Sequence, residues 1–329
     1  MTMHVIARKT AGTLGALALA MAGLVPTSSP ALAAPVAIDL CALAGTATMP
    51  DAVSVAIWGF GVPGTPGDCT TATAGLPGPL LTVDEGDVVT INITNSLPVG
   101  TVEVPHTISF EIPGITFDPG PTDAAVGASV SVTFTASAPG VYLYESGGDA
   151  GRQEAMGLYG ALIVRSATPL QAYDAATTAY DVEATLVLSQ LDPDFNGAPD
   201  TYDMYQYQAT YWLINGKAYP DTMPPIAAPA GQRLLLRYVN AGFDNTTMLL
   251  LGMHERVLAR DAHLLNNPFD ADAETIPAGG TEDTIATIPA SAPPSVNGFP
   301  LYNRQLHLTN GPTSSPAHSP GGMMLFIKP

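Results

Sequence analysis

The residues of this chain best equipped for chemistry are a few scattered histidines, one pair of cysteines, a set of methionines and one acid-rich turn. His106 follows a proline and precedes an apolar strand pattern, Thr107-Ile108-Ser109-Phe110. An imidazole there can ligate a metal or be buried as a hydrogen-bonded structural group, and its apolar neighbours favour the structural role. His307 and His318 lie near the C-terminus and form either a convergent pair or two loop histidines, while His254 and His263 stand apart. Met248, Met253, Met323 and Met324 offer soft thioethers suited to Cu(I). Met is also a common core filler, and Met248 and Met324 sit in apolar strand-like runs, so packing is the expected role. Asp192-Pro193-Asp194-Phe195-Asn196-Gly197 matches the opening of a calcium loop, with Asp203 at the twelfth position. Its flanks do not read as helices, and an ordinary acidic linker is the preferred reading. The common nucleophile, phosphate-loop and zinc-helix motifs do not occur.

Cys41 and Cys69 are the two cysteines. Both follow an exported-protein leader and lie in loop-rich sequence, which reads as a disulfide rather than thiolate metal ligation. Closing a loop of about 29 residues is worth ~3 kcal/mol in the loop-entropy picture.

Strand signals dominate the elements that must hold these groups. Val88 to Thr94 alternates Val89, Ile91 and Ile93 with Thr90, Asn92 and Thr94, and Val130 to Thr135 repeats the pattern. Turn residues separate the runs, as in Asp84-Glu85-Gly86-Asp87 and Ala230-Gly231. The stretch Gly86 to Asn95 matches Gly231 to Asn240: a turn glycine, an alternating strand, a closing Asn. A repeat at this spacing implies duplicated domains. The sequence therefore predicts an all-β protein of two tandem Greek-key β-sandwiches. Their expected limits are 35–168 and 178–329, joined by a linker at 169–177.

Residues 1–34 read as a signal peptide. Arg8 and Lys9 precede an apolar run, and Ala31-Leu32-Ala33 supplies a cleavage site. The expected location is secreted or periplasmic, with no membrane span. The net charge of −18 repels nucleic acid and anionic membranes. A protein partner or a homo-oligomer remains open.

The segments GPLLTVDEGDVVTINITNSL (78–97), PGVYLYESGGDAGRQEAMGLYGALIV (139–164), LINGKAYPDTMPPIAAPAGQRLLLRYVNAG (213–242) and PLYNRQLHLTN with GGMMLFI (300–310, 321–327) resemble the multicopper oxidase family. The resemblance implies that the two sandwiches are cupredoxin-like and correspond to domains one and two of a three-domain oxidase. It also places copper ligands. His106 stands at a first ligand position, and Glu111 stands where a second His is expected. Where the family writes Tyr-His-Ser-His, this chain has Tyr144-Glu145-Ser146-Gly147. Leu249-Leu250-Leu251-Gly252 replaces a His-x-His-Gly.

The resemblance therefore implies a family scaffold with most copper ligands absent. His106, Glu111 and Glu145 are the leading candidate metal ligands, for a hard ion rather than a copper trio, and His307 and His318 are the second set. No catalytic residue is assigned and no cofactor is expected, copper being the one the resemblance admits. Three functions follow: a non-catalytic exported cupredoxin protein that binds a ligand or plays a structural part; a copper-dependent oxidoreductase with unconventional or partner-supplied ligands; or an extracytoplasmic metal-binding protein.

Overall fold

The computed structural model describes residues 4–6, 8–9, 35–311 and 318–329. The expected leader lies outside these apart from the backbone of two short strands, His4–Ile6 and Arg8–Lys9.

Each alternating run forms a strand with one buried face. In Val88–Ser96, Val89, Ile91 and Ile93 are fully buried and Thr90, Asn92 and Thr94 are not. Ser129–Thr135 buries Val130, Val132 and Phe134. The two strands pair antiparallel in register, Ile91 opposite Val132, so the apolar faces coincide.

The sheets form two pairs with the same strand order. In the first half, Leu80–Asp84, Tyr159–Arg165, Gly140–Ser146, Ile108–Glu111 and Asp123–Ala124 lie side by side. Opposite them, Ser54–Gly61 pairs with Pro35–Thr48, which continues to Val88–Ser96 and Ser129–Thr135. The second half repeats both orders. Ile226–Ala227, Met324–Lys328, Phe299–Asn303, Thr246–Leu250 and Ala273–Ile276 form one sheet. Tyr211–Ile214, Val182–Leu191, Arg233–Asn240 and Thr281–Thr287 form the other, extended by the hairpin Glu255–Arg260/His263–Ala271. The parallel pairs also correspond, Pro35–Thr48 with Val88–Ser96 and Val182–Leu191 with Arg233–Asn240. The fold is that of cupredoxin-like β-sandwiches.

The repeat extends to single residues. Gly86 and Gly231 open equivalent strands at φ +87° and +83°, where a side chain would be strained. Asn95 Nδ2 donates to the carbonyls of His106 and Ala124, and Asn240 Nδ2 to those of Asp244 and Ile276. Each closing Asn thus ties its strand end to one loop and to the edge strand of the facing sheet.

The halves differ at one turn. Pro35–Thr48 and Ser54–Gly61 are joined by residues 49–53. The equivalent connection between Val182–Leu191 and Tyr211–Ile214 spans 192–210 and carries a short helix, Pro193–Gly197. This long loop lies against the first half. Arg152 Nη1 donates to the carbonyls of Pro199 and Tyr202, and Asn196 Nδ2 donates to the carbonyl of Ala56.

The halves share apolar and ionic contacts. Val141, Leu143, Tyr159, Ala161 and Ile163 pack with Val187, Val239 and Ala241. Arg233–Asn240 is consequently buried on both faces, unlike its half-exposed counterpart Val88–Ser96. Arg165 of the first half pairs with Glu183 at 2.5 Å, Glu183 with Arg237 at 2.6 Å, and Arg237 with Asp283 at 2.9 Å. Tyr173 completes the chain by donating to Asp283. Burial opposes ionisation of Glu183, but Arg237 and Arg165 outweigh it and hold this carboxyl below its ordinary range.

Candidate functional site: a triad of glutamates

The strand Gly140–Ser146 runs antiparallel to Ile108–Glu111, and its register sets Glu145 directly opposite Glu111. A five-residue helix, Arg152–Met156, follows between Gly151 and Gly157, both in left-handed backbone conformations. Ser146 fixes this helix against the strand end. Its hydroxyl donates to Gln153 Oε1 at 2.6 Å and accepts from the Ser109 amide, while Gln153 Nε2 donates to the Thr107 carbonyl. One residue beyond Gln153 the helix delivers Glu154. Carboxylate oxygens of Glu111, Glu145 and Glu154 all lie within 4.8 Å of one another. A Cβ at position 147 would collide with the Glu111 carboxylate, so Gly147 makes room for it.

No basic side chain forms an ion pair with these carboxylates among the described residues. Burial pushes Glu145 up to about 7, with Glu111 adding to the rise. Burial pushes Glu154 up to about 8, and Glu145, Glu111 and Asp149 add to it. Glu154 Oε2 is buried without a hydrogen-bond partner. Carboxylates so close cannot all ionise cheaply; they hold protons or a cation. Three carboxylate oxygens are the donors a hard divalent ion takes.

His106 does not join this triad. It is 3% exposed, with its ring centroid 4.2 Å from that of Trp58. Nδ1 lies 2.7 Å from the Pro98 carbonyl and Nε2 lies 2.7 Å from Asp200 Oδ1. A carbonyl and an ionised carboxylate both accept, so both ring nitrogens act as donors unless Asp200 carries the proton. In either case neither nitrogen offers a lone pair to a metal. The expected grouping of His106 with Glu111 and Glu145 is therefore corrected to Glu111, Glu145 and Glu154, with His106 as a structural group bonded across the two halves.

His307 and His318 also stay apart. Thr309 pairs with Pro320 and Asn310 with Ser319. The two histidines are thus about four residues apart along the ladder, ~13 Å at the rise of a strand. His307 stacks on Trp212, and His318 Nδ1 contacts the Gly311 carbonyl. The calcium-like loop is committed to local caps. Asp192 accepts from the amides of Asp194, Phe195 and Gln208 and from the Tyr202 hydroxyl, and Asp203 accepts from the Tyr205 amide. Met248 and Met323 are core residues, as expected. Cys41 and Cys69 form a disulfide with Cα atoms 5.7 Å apart, which leaves no free thiol.

Glu154 went unrecognised in the sequence. Its helix is too short to show a period, and only the glycines on either side mark it.

Comparison with known proteins agrees with this scaffold. Residues 62–169 match the multicopper oxidase family model. Copper resistance protein A of Escherichia coli is 29% identical over 273 residues, covering 65% of this chain and 42% of that protein. Copper resistance protein A of Pseudomonas syringae pv. tomato is 26% identical over 271 residues, covering 66% and 42%. The chain thus spans less than half the length of these relatives. Among solved structures, the blue copper oxidase of Nitrosomonas europaea superposes with a TM-score of 0.71 at 23% identity, over 89% of this chain and 85% of that one. The copper nitrite reductase of the same organism gives 0.67 at 20% identity, over 89% and 93%. Residues 62–169 thus carry the match to the multicopper oxidase family model, and the chain as a whole has the fold of solved multicopper oxidases and copper nitrite reductase.

Proposed function

We propose that this is an exported cupredoxin-fold protein that has kept the multicopper oxidase scaffold without its copper chemistry and acts by binding. The observation that carries this reading is the triad itself. Glu111 and Glu145 occupy positions where the family resemblance expects imidazoles, and Glu154 joins them within 4.8 Å. A type 1 copper centre needs a thiolate, and both cysteines are in the disulfide. A copper trio needs converging imidazoles, and His106 has both nitrogens engaged. The residues present do not fit copper; they fit a hard, oxygen-seeking divalent cation such as calcium or manganese.

A second reading, a copper-dependent oxidoreductase with ligands supplied by a partner, is favoured by the similarity to copper resistance protein A. Metal analysis of the purified protein separates the two, together with its visible spectrum and its oxidation of a phenolic dye after copper loading. A colourless, inactive protein retaining a hard divalent ion supports the binding role. Blue absorbance with several coppers per chain and oxygen-consuming turnover would overturn it.

A further inference from the structure

The unequal loop 192–210 builds a second feature, whose lining includes none of the three glutamates. Beside it lies a cleft of about 440 Å³ lined by Met204, Tyr207, Trp212 and Phe243, with Gln190 and Asp244 at its polar side. Tyr207 meets Phe243 edge to face at 5.3 Å, and Trp212 lies flat against His307 at 4.2 Å. Phe243 is 43% exposed, an uncovered phenyl ring on a strongly acidic protein. The equivalent connection of the first half is only residues 49–53 and contributes no such loop.

The electrostatics of the cleft favour one sign of charge. Asp244 is the only formal charge among its lining residues, and its carboxylate has no ion-pair partner among the described residues. Burial holds His307 below the usual imidazole range in spite of Asp244, so the ring on Trp212 is uncharged at neutral pH. Aromatic faces attract cations through their quadrupoles, most strongly where water is partly excluded. An anion is repelled by Asp244 and by the net charge of −18. A neutral sugar can stack on the same rings and donate hydroxyl hydrogen bonds to the carboxylate, but it lacks the charge that both the rings and Asp244 attract.

From this combination we propose that the cleft binds a small organic ammonium ion, held against the rings of Tyr207, Trp212 and Phe243 with Asp244 as counter-charge. The volume suits a ligand of modest size. This site is independent of the glutamate triad.

Calorimetric titration of the full chain with choline, its neutral isostere 3,3-dimethyl-1-butanol and glucose tests the proposal. Choline is expected to bind saturably, at least tenfold tighter than the isostere, with affinity falling as salt rises. Phe243→Ala and Asp244→Asn should each weaken choline at least fivefold while leaving the far-UV dichroism and melting temperature unchanged. Glu145→Gln should leave choline binding as it is. The proposal fails if the isostere or glucose binds as well as choline, if choline does not bind saturably, or if both cleft variants bind it like the native protein.

Discussion

Glu145 stands directly across a strand pair from Glu111, a like-charge register that sheets ordinarily avoid, and Glu154 is brought to the same point by a separate helix. Nothing basic among the described residues relieves the repulsion. The strain is stored where a ligand can release it.

Calorimetry with calcium and with manganese should therefore show one site per chain at neutral pH. Binding should release protons, because Glu145 and Glu154 are raised to about 7 and about 8 and must give up protons to ligate. Glu145→Gln should weaken the metal at least tenfold and raise the melting temperature of the metal-free protein. An unchanged affinity in this variant would remove the triad from consideration.

Stability should fall as the solution turns alkaline. Beyond the triad, Glu255 is raised to about 7 by burial, and accepts from Tyr238 and Thr284. Glu282 is raised to about 8 by burial, although Arg260 opposes the rise. A carboxyl whose folded pKa lies above its unfolded value binds its proton more tightly when folded. Its contribution is fully present below about 4.5 and is lost as pH rises through 7 and 8. For Glu255 the full loss is about 3 kcal/mol. Melting temperatures between pH 5 and 9 should decline, and Glu255→Gln should flatten the decline. A rising curve would contradict the assignment.

Asp200 should control the reactivity of His106. With both nitrogens engaged, His106 should resist diethyl pyrocarbonate while exposed His254 and His263 are modified. Asp200→Ala frees Nε2, and peptide mapping should show at least a tenfold faster reaction at His106. Asp200→Asn can still donate to Nε2 and should keep the protection. Equal rates in all three proteins would mean that the contact does not govern the ring.

The frame was legible in the sequence because it is written in local terms. Gly86 and Gly231 mark strained turns, Asn95 and Asn240 mark strand ends, and the period-two pattern marks the buried face. Glu111 and Glu145 were legible through the family resemblance. What was hidden depends on distance. Glu154 reaches the triad only because Ser146 and Gln153 hydrogen-bond. The partner of His106 lies 94 positions away in sequence. Asp192 and Asp203 carry a calcium-loop spacing, yet their oxygens are spent on nearby amides, which composition alone cannot distinguish from ligation.

The ionic chain from Arg165 through Glu183 and Arg237 to Asp283 has a mechanical consequence. Arg237 is fully buried between Glu183 and Asp283 of its own half, and Arg165 reaches over from the first half to the same Glu183, so parting the halves would break the pair at the end of the chain and leave Glu183 to Arg237 alone. Together with the apolar contacts of Val141, Leu143 and Ile163 on Val187 and Val239, this pair opposes hinge motion between the sandwiches. The two sandwiches should melt as one cooperative unit, with equal calorimetric and van't Hoff enthalpies. Arg237→Met, which leaves buried Asp283 without its cation and Glu183 with Arg165 alone, is expected to split that single transition into two.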